Sequence, residues 1–298
     1  MAKPTDYAIY FDSSLCTGCK GCQVACKQWN RLPSPLGHNE GEFTGSLQCP
    51  ADLDGNTRLI QTFSEKDSGN KFQPINWAIG RRSCMHCTDA ACVEACSSGA
   101  LFHDKNGVVN FNSEACNGCQ YCRTACPFDV PRFRPEDHRI DKCTMCMDRL
   151  EKGGKPACVK TCQPEALQFG TREAMLARAK ARVEALKQRG YEKAEVYGEN
   201  EMGGLHVILV CKYGHEAYGL PTNPQKKAVH SLSHVIRPVT GVVAAATVAG
   251  LALSWVAGRK YHRDEMTIDE AKKNWTPEQR AKADAELKAA LENRKEEK

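Results

Sequence analysis

Cys116-Asn117-Gly118-Cys119-Gln120-Tyr121-Cys122-Arg123-Thr124-Ala125-Cys126-Pro127 sets four cysteines at gaps of two, two and three residues and closes on a proline. That run is how a chain wraps an iron–sulfur cube. Three close thiolates hold one cluster, and the fourth, on the following helical turn, serves a neighbouring cluster. The same spacing recurs at Cys16, Cys19, Cys22 and Cys26. Two looser quartets, Cys84, Cys87, Cys92, Cys96 and Cys143, Cys146, Cys158, Cys162, keep the final gap of three. Sixteen of the 18 cysteines fall in these four runs. Cys49 and Cys211 stand alone and read as a loop thiol and a small apolar strand residue. Gly18 and Gly118 lie inside the first gaps, where wrapping calls for positive φ angles that glycine adopts without steric cost.

Two other uses of cysteine are weaker. Paired CxxC units can build a tetrahedral zinc site, but zinc does not require the tight four-cysteine run. Disulfides fail because cysteines three apart cannot easily pair with each other. Disulfide scaffolds are also usually short and secreted, whereas this chain of 298 residues opens Met1-Ala2-Lys3-Pro4-Thr5-Asp6-Tyr7, without a basic segment followed by an apolar one. A reducing compartment is therefore expected during folding and metal loading. A net charge of +5 with no basic stripe argues against a nucleic-acid binder.

Nothing in the sequence assembles a substrate site. There is no Gly-rich nucleotide loop, Ser/His/Asp arrangement or flavin motif, so no catalytic residue is expected and the chain reads as a carrier of electrons. His86, between Cys84 and Cys87, reads as a neighbour of the cluster or a surface residue, since thiolates supply a full ligand set. Asp129, Arg132 and Arg134 read as groups that tune or solvate a cluster edge, because charge and hydrogen bonds set cluster potential.

Around the runs the pattern is plainer. Residues 31–80, rich in Gly, Asn, Pro and Ser with apolar pieces such as Arg58-Leu59-Ile60-Gln61-Thr62-Phe63, predict strands and loops inserted between sites. Residues 84–162 hold twelve cysteines and little apolar material, so the clusters themselves must serve as core. Thr171 predicts an N-cap for a helix to about Arg189, with Met175, Leu176, Ala179, Val183 and Leu186 on one face and Gly190 as terminator. Leu205-His206-Val207-Ile208-Leu209-Val210-Cys211 predicts a buried strand. After a Pro-containing linker at 219–230, residues 238–258 (PVTGVVAAATVAGLALSWVAG) carry no charge. At 1.5 Å per residue they span about 31 Å, enough for a hydrocarbon core. Lys226, Lys227 and Arg237 precede the span, Arg259, Lys260 and Arg263 follow it, and Trp255 lies where an interfacial aromatic sits. Thr276-Pro277-Glu278 opens a charged C-terminal helix.

If the last cysteine of each run serves a partner cluster, the runs must pair. Nested pairing gives one cluster on Cys84, Cys87, Cys92 and Cys126 and another on Cys96, Cys116, Cys119 and Cys122. It gives the outer runs a cluster on Cys16, Cys19, Cys22 and Cys162 and one on Cys26, Cys143, Cys146 and Cys158. The spacing leaves open the pairing of first with second run and third with fourth.

The four-run arrangement resembles the iron–sulfur subunits that accompany the molybdopterin enzymes formate dehydrogenase, dimethyl sulfoxide reductase, polysulfide reductase and nitrate reductase. More narrowly it resembles the beta subunit of respiratory, membrane-bound formate dehydrogenase. The likeness runs from about Tyr7 to Gly258. It rests on Gly37-His38, Pro50-Ala51-Asp52-Leu53, Pro156-Ala157-Cys158-Val159-Lys160-Thr161-Cys162, Arg189-Gly190-Tyr191-Glu192, Gly203-Gly204-Leu205-His206-Val207, Tyr218-Gly219-Leu220-Pro221 and the single C-terminal apolar span. The resemblance implies the nested pairing. It also implies four [4Fe–4S] clusters, since Cys119 is intact where related nitrate reductase subunits replace one cysteine and form a three-iron cluster. The fold it implies is α+β, with two ferredoxin-like domains, one inserted in the other. Residues 1–80 and 135–225 would form the outer domain and 81–134 the inserted one, each with two clusters. A linker and transmembrane helix at 226–263 and a charged tail at 264–298 would follow.

The implied partners are a molybdenum- or tungsten-pterin catalytic alpha subunit and a membrane cytochrome b gamma subunit that reduces quinone. The implied place is the inner membrane, crossed once at 238–258, with the soluble part periplasmic and the C-terminus cytoplasmic. Arg259, Lys260, Arg263, Lys272 and Lys273 slightly outnumber the basic residues before the span, in the same sense. Lys27, Ser97 and Gln163 stand where proline often follows the last cysteine. The alternatives are the same wire in a hydrogenase or a polysulfide or thiosulfate reductase, and, from another class, a zinc-stabilised membrane scaffold.

Overall fold

The structure is a computed structural model that describes residues 6–33, 46–134, 136–226, 228–264 and 272–296. Gly37-His38, Lys227, the opening residues 1–5 and the first part of the tail, 265–271, lie outside the described residues. The chain divides into two compact units, Met1–Ser233 and His234–Lys298.

The first unit is organised by a four-stranded sheet. β1 (Tyr7–Asp12) lies between β8 (Leu167–Thr171), antiparallel to it, and β10 (Val207–Cys211), parallel to it; β9 (Glu195–Tyr197) pairs with the far edge of β10. Strand side chains alternate between faces. Ala8 and Tyr10 of β1, with Ile208 and Val210 of β10, pack on one face against Met175, Ala179, Val183 and Leu186. Ile9 and Phe11, with Val207 and Leu209, face the other way, into a core that includes Cys22, Cys26 and Cys158. β10 is buried throughout, as expected of a strand covered on both faces.

The covering helix is α6 (Arg172–Gln188). Thr171 caps it, its hydroxyl accepting the Ala174 N–H at 3.4 Å. It ends in a Schellman turn: Tyr191 N–H donates to Leu186 O at 3.1 Å, Gly190 N–H donates to Lys187 O at 2.9 Å, and Gly190 takes φ +89°. Both limits match the sequence expectation.

The residues between the first two runs form one long hairpin, β2 (Leu59–Asn70) with β3 (Gln73–Ser83), in register from Leu59↔Ser83 to Asp67↔Ile75. Two three-residue strand pairs follow the second and third runs: β4 (Leu101–His103) with β5 (Val109–Phe111), and β6 (Arg132–Arg134) with β7 (Arg139–Asp141). The cysteine runs carry short helices, α1 (Gly21–Trp29), α2 (Ala91–Glu94), α3 (Tyr121–Ala125), α4 (Met147–Leu150) and α5 (Ala157–Lys160).

α7 (Ala228–Asp264) is 37 residues long, so the expected linker gives way to helix at Ala228 and the helix continues past Gly258. Within it Val239–Arg259, 21 residues, is long and apolar enough to cross a membrane, and none of it is buried. The Arg259 guanidinium lies over the Trp255 ring, 4.4 Å from its centre. α8 (Pro277–Glu296) opens with a capping box: Gln279 N–H donates to Thr276 Oγ1 at 3.4 Å, and Thr276 N–H donates to Gln279 Oε1 at 3.0 Å.

Candidate metal centres

The four runs share a backbone device that their sequences only half display. The residue two places after the first cysteine is left-handed in every run: Gly18 (φ +70°), His86 (+49°), Gly118 (+71°) and Met145 (+55°). In three runs the N–H of this residue reaches the sulfur of the run's first cysteine, and in two runs an ordinary side chain accepts a conformation costing roughly 1–2 kcal/mol. At Gly118 the requirement is absolute, because a Cβ would strike the His138 carbonyl oxygen.

All 18 cysteines are free thiols, and ten are buried. Several have thiols from distant runs as neighbours. Burial pushes Cys26 well above an ordinary thiol, and Cys143, Cys158 and Cys146 add to the rise. Cys16 is raised by burial and then by Cys162 and Cys19, against the opposing pull of the Gly18 N–H. Cys22 is pushed up to about 12 by burial, with Cys158, Cys16 and Cys162 adding and Arg81 opposing. In the second run, burial pushes Cys84 up to about 11, Cys143 and Cys126 add to it, and Lys142 opposes. Cys87 and Cys92 are driven higher by burial, then by Cys84 and Cys126. Burial takes Cys122 to about 12, with Cys96, Cys116 and Cys119 as the thiol neighbours.

A narrow cavity is lined by Cys26, Cys143, Cys146 and Cys158 together with Asn30, Arg58 and Arg81. Among the described residues no three His, Cys, Asp or Glu side chains converge as ligands of a single metal ion. The donor set suits an iron–sulfur cluster. Grouped, buried thiols hold their protons in isolation and give them up when a cation takes the proton's place.

Hydrogen bonds reach several sulfurs. Gln61 Nε2 donates to Cys16 Sγ at 3.2 Å, Leu167 N–H to Cys162 Sγ at 3.3 Å, Met145 N–H to Cys143 Sγ at 3.4 Å and Asn30 Nδ2 to Cys26 Sγ at 3.7 Å. Gln61, Asn30, Arg81 and Lys142 were not among the residues the sequence singled out. The available signal was polar side chains at otherwise apolar positions, such as Gln61 after Leu59-Ile60.

His86 is fully buried, which corrects the surface half of its expectation. Its Nδ1 lies 3.1 Å from Val109 O, its Nε2 has no partner, and burial followed by the charge of Lys142 pushes its pKa well down. Arg132 donates to Asp52 at 2.8 Å, Asp129 at 2.9 Å and Leu53 O at 2.9 Å, so it ties the loop after the third run to the 50–53 segment. Asp129 also meets Arg82 and Arg123, and burial notwithstanding, the arginines hold its carboxyl below the usual range. Arg134 instead pairs with Asp137. Cys49 is half-buried, and its carbonyl accepts from Gln23 Nε2 at 2.9 Å; Cys211 is a buried residue of β10.

The family profile of the 4Fe-4S dicluster domain matches residues 75–172. The iron–sulfur subunit of the nitrate-inducible formate dehydrogenase of Escherichia coli K12 is 41% identical over 256 residues, covering 84% of this chain and 85% of that one. The formate dehydrogenase-O iron–sulfur subunit of the same organism is 40% identical over 265 residues, covering 87% and 86%. The hydrogenase-2 operon protein HybA of Escherichia coli O157:H7 is 34% identical over 246 residues, covering 73% and 74%. A 4Fe-4S domain around the central runs and identities of this order along most of both chains place this chain in the family of formate dehydrogenase iron–sulfur subunits.

Proposed function

We propose that this iron–sulfur subunit carries four [4Fe–4S] clusters and conducts electrons from the pterin-bearing catalytic subunit of a formate dehydrogenase to a membrane cytochrome b and quinone. Each cluster, when bound, supplies a one-electron redox couple; the residues of the chain hold it, exclude water and set its potential. One observation carries the reading: thiols far apart in sequence are neighbours in nested order, Cys26 with Cys143, Cys146 and Cys158, and Cys126 with Cys84, Cys87 and Cys92.

The ligand sets are then Cys16, Cys19, Cys22 and Cys162; Cys26, Cys143, Cys146 and Cys158; Cys84, Cys87, Cys92 and Cys126; and Cys96, Cys116, Cys119 and Cys122. The outer pair of clusters belongs to residues 1–80 and 135–225 and the inner pair to 81–134. Part of α7 is the single membrane span, with the soluble part periplasmic and the C-terminus cytoplasmic. The length and full exposure of Val239–Arg259 support the span.

The test is purification in mild detergent under anaerobic conditions, followed by iron, zinc and acid-labile sulfide analysis and identification of the co-purifying subunits. About sixteen iron and sixteen sulfide per chain beyond the haem iron and any cluster of the co-purifying subunits, a large pterin subunit and formate-dependent quinone reduction are expected. About four zinc without sulfide would sink the reading in favour of a scaffold. The likeness to the HybA protein gives a second reading, the same wire serving a hydrogenase, and a hydrogenase subunit among the co-purifying proteins would select it.

A further inference from the structure

Resting on the ligand sets proposed above, we infer that Arg81 is the buried counter-cation of the two outer clusters, those of the first and fourth cysteine runs, and that it raises their reduction potentials. Five charged side chains lie in the interior among the described residues: Asp12, Arg81, Arg132, Asp141 and Lys142. Three have charged partners. Asp12 meets Arg182 at 2.8 Å, Asp141 meets Arg58 at 2.9 Å, and Arg132 meets Asp52 and Asp129 at 2.8 and 2.9 Å. Arg81, only 4% exposed, has no carboxylate partner among the described residues, and its Nε and Nη1 have no hydrogen-bond partner.

An arginine cannot shed its charge, and an unpaired buried charge is strongly destabilising, so the fold must supply an anion beside it. Among the described residues, cysteine thiols lie beside it. Arg81 lines the cavity with Cys26, Cys143, Cys146 and Cys158. On the hairpin it stands directly opposite Gln61, and cross-strand partners share a face; Gln61 Nε2 donates to Cys16 Sγ. The Arg81 charge acts on both Cys22 and Cys158, one thiol from each outer run. A cube held by four thiolates is anionic and gains one further negative charge on reduction. A fixed cation beside it therefore favours the reduced form.

Lys142 is the internal comparison. It is also buried without a carboxylate among the described residues, and its ammonium donates to Val109 O and Cys143 O. Its charge falls on Cys84 and Cys92, thiols of the second run.

The experiment is an EPR-monitored redox titration of the full chain, purified in detergent with its partner subunits. Wild type is compared with Arg81→Gln, Arg81→Lys and Lys142→Gln. Iron and sulfide in the wild type are measured first, and a failure there overturns the ligand sets independently of any variant. Arg81→Gln is expected to keep its iron and to lower the reduction equilibrium constant of two clusters about tenfold, a shift of about 59 mV for a one-electron couple. Arg81→Lys should stay within about twofold of wild type, and Lys142→Gln should move a different signal. Full iron with unmoved potentials in Arg81→Gln overturns the proposal. If Arg81→Gln loses iron, Arg81→Lys decides. Full iron at wild-type potentials there supports the charge, whereas iron loss there too assigns Arg81 a packing role and overturns it.

Discussion

His86 and Met145 adopt the left-handed conformation that Gly18 and Gly118 adopt at the corresponding places, so the turn is imposed by what the thiols must surround. Gly118→Ala should therefore cost more than Gly99→Ala. Both glycines have positive φ, but only at Gly118 does a Cβ meet backbone, while Gly99 has nothing within 4 Å. We expect roughly 1–2 kcal/mol for the conformation alone at Gly99. At Gly118 the added clash should remove iron from that site, as measured by melting temperature and iron content. A second outcome at this scale concerns ligand exchange between runs. Cys126→Ala should abolish the EPR signal of the cluster on Cys84, Cys87 and Cys92 and spare that on Cys116, Cys119 and Cys122. Loss of the latter alone would reverse the crossed pairing. The cysteines were legible because their spacing carries the chemistry. Arg81, Lys142 and Gln61 were not, because a polar residue in a strand declares its partner only once the opposite strand is known.

Among the elements, α6 was readable at both ends, since its cap, its apolar face and its terminating glycine are all local signals. Thr171→Ala should cost about 1 kcal/mol, read as a lowered denaturation midpoint with an unchanged slope. The β2–β3 hairpin was readable only as strands and loops, because its register is fixed by pairing rather than by any local periodicity. The three-residue strands β4 to β7 are too short to show alternation. α7 extends beyond the uncharged span at both ends because polar and basic residues such as His230, Arg237 and Arg259 are compatible with helix though not with an apolar core. Trp255 and Arg259 stack near its far end, a pairing suited to a headgroup region.

At the scale of the whole molecule, the first unit has a core in which thiols occupy places that apolar side chains fill elsewhere. Cys22, Cys26, Cys158 and Cys211 sit in one cluster with Ile9, Phe11 and Leu209, and Cys84, Cys126 and Cys143 sit in another with Leu53 and Ile60. Stripping the iron with chelator and oxidant should lower the melting temperature of this unit by tens of degrees, followed by circular dichroism, because metal binding and folding share one free energy. Ending the chain after Ser233 removes the apolar stretch and should shift the protein from the membrane fraction to the soluble fraction with its iron retained.

The parallel pairing of β1 with β10 also sets a timetable. Residues 9–12 pair on one side with β8, but their parallel partners are residues 207–210. Every cysteine of the four runs is therefore synthesised before the central sheet can close. The roughly 45 residues from Cys162 to Val207 take roughly 2–9 s at a translation rate of 5–20 residues per second. For that interval the nascent chain offers sixteen thiols to the machinery of cluster assembly, and equally to oxidants. Closure of the last strand then ends access to the buried ones, making the order of synthesis a deadline for metal insertion.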